Sequence, residues 1–110
     1  MSARLTAGFW VHAYLTRLRL AGIPAFVTQK GDQTAGAVLV KMNTLDGRAW
    51  AFQRGFDLMT GKRAWVILAK GQEAAVDAAL TRQKSFDPDL WVIEVEDRAG
   101  RHLLEEDGLT

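Results

Sequence analysis

The apolar and polar positions of this 110-residue chain change period several times, and each change marks an element. Thr6 stands where a helix cap belongs, and Ala7, Val11, Tyr14, Leu15 and Leu18 then recur at spacings of three and four, with His12, Thr16 and Arg19 opposite. Gly22 ends that helix and Pro24 forbids its continuation. Ile23 to Gln29 reads as a first strand, Lys30 to Thr34 as a polar turn, and Ala35 to Met42 as a second strand whose AVLV run is apolar on both faces, which suits a central place in a sheet. Asn43-Thr44-Leu45-Asp46-Gly47 carries an Asp-Gly hairpin signal and leads into a third strand, Arg48 to Arg54. Residues 55–61 form a longer connection before a fourth strand, Lys62 to Ala69.

After Gly71, QEAAVDAALTRQK predicts an alanine-rich helix, with Ala75 and Ala79, and with Val76, Leu80 and Gln83, at helical spacing. Ser85-Phe86-Asp87-Pro88-Asp89 breaks it, and LWVIEVE is a fifth strand. The order αββββαβ describes a single α+β domain over residues 1–110, its helices packed on a mixed five-stranded sheet. Short links between the first four strands favour antiparallel neighbours, and the crossover through the second helix permits a parallel fifth strand. The tail from about residue 98 to 110 reads as an acidic extension, either one or two turns of helix or partly mobile.

The third and fourth strands both open on Arg-Ala-Trp. Alternation places Arg48, Trp50, Phe52 and Arg54 on one face of the third, and Arg63, Trp65 and Ile67 on one face of the fourth. The seven-residue link between them does not fix their relative register. As a core cluster, Trp50 and Trp65 would be mostly buried, with Arg48, Arg54 and Arg63 at the rim, stems on the rings and heads in water. As a surface, Arg48, Trp50, Phe52, Arg54, Arg63 and Trp65 form a candidate partner-binding face. Stacking of single-stranded bases on such a face is conceivable, but no glycine- and aromatic-rich RNA-recognition motif accompanies it.

Charge sharpens the question. Residues 1–70 hold ten basic against three acidic residues, and residues 71–110 hold four against ten, within a net charge of only +1. Either the acidic end folds back on the basic part, or a basic surface is kept for an anionic partner. Nearly every strand is apolar on both faces, and two helices with a short tail must cover five of them. A homodimer formed through residues 35–69, or a protein partner on the sheet, would cover the remainder. Cysteine is absent, which excludes disulfides, thiolate metal sites and thiol nucleophiles. No basic leader with a continuous apolar run opens the chain, and no stretch reaches the roughly 18 apolar residues of a membrane span, so a cytoplasmic protein without membrane attachment is expected.

Catalytic candidates are sparse. GDQTAG at residues 31–36 has the glycine spacing of a phosphate loop, but Ala37-Val38 replaces the lysine and hydroxyl residue and a strand follows instead of a helix, so it reads as a turn. Ser85, His102 and Asp87 supply the residue types of a triad without a strained elbow or an oxyanion hole. His12 reads as a solvated helix residue. The acids Asp87, Asp89, Glu94, Glu96 and Asp97 are of the type that binds magnesium or calcium, and Pro88-Asp89 followed by Glu94-Val95-Glu96 has a nuclease-like spacing, but Glu96 stands where such a core wants lysine. A solvated turn and strand edge is the plainer reading, with no catalytic residue, cofactor or tightly bound metal expected.

The segments AYLTRLRLAGIPAFV, AGAVLVKMNTLDGRAWAFQR and FDPDLWVIEVEDRAGRHLLEE resemble a family of short, mainly alphaproteobacterial proteins known as domain of unknown function 1491. The resemblance covers almost the whole chain and implies a cytoplasmic single-domain protein. It brings no activity, cofactor or catalytic residue. The leading expectation is therefore a non-enzymatic interaction module using a basic and aromatic sheet face. The alternative is a small hydrolase or metal-dependent nuclease-like enzyme using the acids of residues 87–97.

Overall fold

The computed structural model describes residues 5–110 and has the expected element order: α1 (Ala7–Leu20), β1 (Ala25–Gln29), β2 (Val38–Asn43), β3 (Arg48–Phe56), β4 (Arg63–Gln72), α2 (Glu73–Phe86) and β5 (Trp91–Glu96). The five strands form one mixed sheet in the order β1-β5-β2-β3-β4. β2, β3 and β4 are an antiparallel meander, and β5 lies parallel to β2 as expected. β1 departs from expectation. It pairs antiparallel with β5 and not with its successor β2. The slot beside β2 is taken by β5, whose WVIEVE run is apolar enough to be buried on both sides, and β1 is displaced to the edge.

Each helix takes its end signals from the sheet connections as well as from its own sequence. Thr6 Oγ1 accepts the Phe9 amide at 3.3 Å, and the carbonyls of Thr34 and Gln33 accept the amides of Ala7 and Gly8 at 3.1 and 2.8 Å. The GDQTAG turn thus satisfies the unpaired first turn of α1. Asp32 holds the turn through its carboxylate, which accepts the amides of Thr34 and Ala35. At the other end Gly22, at φ +74°, closes α1 with bonds from Gly22 N to Arg19 O and from Ile23 N to Leu18 O. α2 starts against the β2–β3 hairpin, where the Gly47 carbonyl accepts the Glu73 amide.

The two faces of the sheet differ in character. The α1 face carries Val40 and Met42 from β2, Phe52 from β3, and Trp91, Ile93 and Val95 from β5, packed on Trp10, Val11, Tyr14 and Leu18. Burying each of these large apolar side chains contributes about 1.5–3 kcal/mol. The tail completes this core. Leu104 and Leu109 are fully buried in it, Tyr14 Oη donates to the His102 carbonyl at 2.8 Å, and Trp65 Nε1 donates to the Leu109 carbonyl at 2.8 Å. Residues 98–110 are therefore a packed part of the domain in turns, without the helical turn that the sequence suggested. The α2 face has a smaller core of Leu39, Ala49, Ala51, Val76, Leu80, Leu90 and Val92. Beside it lies a polar half, built on Lys41 and Asn43.

Candidate functional site

The six residues singled out on β3 and β4 do share one face, because the strands pair Arg48 with Gln72, Trp50 with Lys70, Arg54 with Trp65 and Phe56 with Arg63. The face is divided between two environments. Phe52 is buried under the tail, its ring 4.7 Å from the His102 imidazole. Trp65 is half-buried and packs on Trp10 at 5.3 Å. Arg48 and Arg63 are exposed, and Trp50 keeps 40% of its surface in water. The expectation that Trp50 is mostly buried is thus corrected. α1 and the tail cover the face as far as Phe52, and Trp50 lies beyond them, between Met42 and the exposed Lys70.

Arg54 also differs from expectation. Its guanidinium is not at a rim but packed against two neighbouring rings, 4.9 Å from the centre of Trp10 and 5.0 Å from that of Trp65, with cation–π contact to both. Among the described residues its buried Nε has no hydrogen-bond acceptor, and neither has Trp10 Nε1. Burial, together with the neighbouring Arg63, lowers the Arg54 pKa below the usual arginine value. Trp10, only 3% exposed, was absent from the helical stripe read off the sequence. It falls three residues after Ala7 and four before Tyr14, the spacing that would have placed it there.

A second missed constellation lies on the α2 face. Lys41 is 4% exposed, and its Nζ is 2.7 Å from Glu73 Oε2, 2.7 Å from Asp77 Oδ1 and 3.4 Å from Glu94 Oε1. Asn43 Nδ2 donates to Glu73 and Glu94, both at 3.2 Å. Burial pulls the Lys41 pKa down, but the hydrogen bonds to Asp77 and Glu73 and the charge of Glu94 outweigh it and hold the ammonium above the usual lysine value. Enclosed by three carboxylates and held above the usual lysine value, Lys41 is placed as a structural cation. The signal for it was a lone lysine inside the apolar AVLVKM run, which demands acidic company once buried.

The enzymatic candidates are dispersed. Ser85 Oγ donates to the Arg82 carbonyl at the end of α2, while His102 packs on the α1 face and its Nδ1 accepts the Leu104 amide. The two lie on opposite sides of the sheet. Of the acids, Asp87 closes a turn by accepting the Asp89 amide, Glu94 belongs to the Lys41 group, and Asp97 grips Arg101 at 2.8 Å. Among the described residues no group of three His, Asp or Glu side chains has metal-binding geometry, and no helix is long and apolar enough to cross a membrane. His12 is exposed.

The acidic end does fold back, and the ion pairs record where. They join Arg17 to Glu106 and Lys41 to Glu73, Asp77 and Glu94, whereas Arg101 and Asp97 pair locally within the acidic end. β3 and β4 contain no acidic residue, and Arg48, Arg54, Arg63 and Lys70 have no salt bridge among the described residues. Fold and surface together define a small α+β domain with a basic, partly aromatic face on one side of a mixed sheet. The chain belongs to the DUF1491 family of proteins of unknown function, whose family profile matches residues 5–105. It is similar to a DUF1491 family protein from Caulobacter crescentus CB15, solved as a crystal structure at 41% identity and a TM-score of 0.82, with 94% of this chain and 97% of that chain covered. The NMR structure of a DUF1491 family protein from the same organism matches at 40% identity and a TM-score of 0.80, covering 96% of both chains. The solution structure of protein Atu0922 from A. tumefaciens matches at 30% identity and a TM-score of 0.71, covering 86% of both. No curated protein matches the chain.

Proposed function

We propose that the protein is a non-enzymatic interaction module whose β4 edge, with the adjoining outer face of β3 and β4, receives an acidic, extended segment of a partner protein. One observation carries the reading. β4 is a ten-residue edge strand with no strand on its outer side among the described residues, and Arg48, Trp50, Ile67 and Lys70 stand exposed beside it without a nearby acid in either strand. An added strand would satisfy the free backbone groups of β4, the Trp50 and Ile67 side chains would supply apolar contact, and the basic residues would select acidic side chains. The opposite edge is a poorer receiver, since β1 has five residues and is irregular between Val27 and Gln29.

Charge also bears on the homodimer expected from the sequence. Two β4 strands paired antiparallel about their centres would bring Arg63 of one copy near Lys70 of the other, a repulsion of the kind that keeps edge strands from pairing with themselves. The same charges leave the edge open to an acidic strand. The test is fluorescence anisotropy with an alternating Val-Glu peptide, its Val-Lys counterpart and a single-stranded oligonucleotide, with light scattering of the protein alone. The Val-Glu peptide should bind, more weakly at high salt, and roughly tenfold more weakly to the Arg48→Glu, Lys70→Glu protein. Equal binding of both peptides, or tighter binding of the oligonucleotide, would overturn the reading. The mass of two chains, lost on Ile67→Glu, would give the edge to a second copy instead.

A further inference from the structure

Where β3 runs on past its pairing with β2, the end of the sheet opens into a cleft of about 1070 Å³ whose lining includes Trp10, Arg54 and Arg63 on the α1 side and Gln53, Gln83 and the carboxylate-bearing Asp87 on the α2 side. Arg54 is held there by its two tryptophans, so the plane of its guanidinium is set before any ligand arrives. Arg63 lies on the same face, two residues along β4 from the Trp65 that pairs with Arg54. The two cations are neighbours close enough to repel, and no carboxylate within salt-bridge distance answers either among the described residues. The contrast with Lys41 is instructive. Where this fold buries a cation for structural purposes, it surrounds it with three carboxylates. At Arg54 it supplies aromatic faces, a second guanidinium and an open volume.

We propose that this cleft is an oxyanion site for a phosphate monoester of a small polar molecule, with Arg54 and Arg63 on the phosphate and the Gln53 and Gln83 amides flanking the remainder. A rigid guanidinium matches two phosphate oxygens at once, and a second positive charge matches the dianion better than a carboxylate's single charge. The volume is of the size that takes a small ligand with its substituents. Arg63 also stands on the β4 edge, but Arg54 lines only the cleft and Lys70 only the edge, so their variants tell the failure of one proposal from the failure of the other.

The experiment is a calorimetric titration of the full chain with ribose 5-phosphate, inorganic phosphate and acetate. Ribose 5-phosphate should bind with one site per chain, inorganic phosphate more weakly, and acetate weakest. Arg63→Gln, at an exposed position that leaves the core intact, should weaken ribose 5-phosphate roughly tenfold, and Arg54→Gln at least as much. Lys70→Gln should leave it unchanged. Arg54→Gln alters the packing of two tryptophans, so Arg63→Gln is the deciding variant. Undiminished binding to Arg63→Gln, acetate binding as tightly as the ester, or no binding of either phosphate would overturn the assignment.

Discussion

Replacing Lys41 by methionine isolates the polar group on the α2 face. The substitution keeps the length and packing of the stem and removes the charge that joins Glu73, Asp77 and Glu94. Removing one partner of a buried ion pair costs about 3–5 kcal/mol, because the remaining charge is left uncompensated. Here that figure needs discounting. The side chains of Glu73 and Asp77 are 38% and 52% exposed and regain water, whereas Glu94, at 21%, keeps only the Asn43 amide. A loss of about 2–3 kcal/mol is expected, which at a urea m-value of about 1.5 kcal/mol per M lowers the midpoint by about 1.3–2 M. The native Lys41 pKa is raised, so its contribution is complete at every pH below its ordinary value of 10.5 and is lost only as pH rises through the folded value. The loss in Lys41→Met should therefore be present in full at pH 7 and still be present at pH 9. The double variant Lys41→Met, Glu94→Leu should recover part of it. An unchanged or raised midpoint for Lys41→Met at pH 7 would refute the reasoning, and so would a deficit that vanishes by pH 9.

Trp65→Ala removes the ring that packs on Trp10 and Arg54 together with the bond to the Leu109 carbonyl, and should cost about 3–5 kcal/mol by chemical denaturation. Trp50→Ala, at a ring left 40% exposed, should cost less than about 2 kcal/mol, and equal losses for the two would contradict the division of the face. Tyr14→Phe strands the part-buried His102 carbonyl and should cost about 1–2 kcal/mol. Burial holds the His102 imidazole below its ordinary value of 6.5, against the opposing charge of Glu105. A depressed histidine contributes stability that is complete above 6.5 and lost as pH falls, so the melting temperature should drop between pH 7 and 5, and drop less in His102→Gln.

Element order was legible because local signals agree with the global fold. The β2–β3 turn illustrates this, since Asp46 Oδ1 accepts both the Thr44 hydroxyl and the Arg48 amide while Leu45 and Gly47 take positive φ. Pairing order was legible only in part. Nothing local to Ala25–Gln29 announces that it will pair with a strand more than 60 residues later, because that choice depends on β5 claiming the place beside β2. The tail was misread for a related reason. LLEEDGLT has no periodic stripe, yet two leucines suffice to seal a core when turns at Gly100 and Gly108 aim them.

The docking surface shows most sharply what alternation omits. Counting by twos from Arg63, Trp65 and Ile67 leads to Ala69 and Gly71, which would put Lys70 on the α2 face. The pairing slips between Ala51 and Phe52, where Ala51 faces Ala69 but Phe52 faces Ile67, so Leu68 is an extra residue. One inserted residue inverts every side chain after it. Lys70 therefore turns over to lie opposite Trp50, and Ala69 turns inward onto the small core with Ala49 and Ala51. The bulge both puts a lysine beside the exposed tryptophan and twists the edge, two devices that deter self-pairing of a long strand. Deleting Leu68 should consequently do more than shorten β4. It should close the bulge into an unbroken ladder, with Ala69 still opposite Ala51 and Lys70 still opposite Trp50, so the variant should keep binding the Val-Glu peptide with native salt dependence while its straightened β4 self-associates more readily, and a folded variant that loses the peptide, or whose mass by light scattering stays that of the parent, would show that the bulge plays another part at this edge.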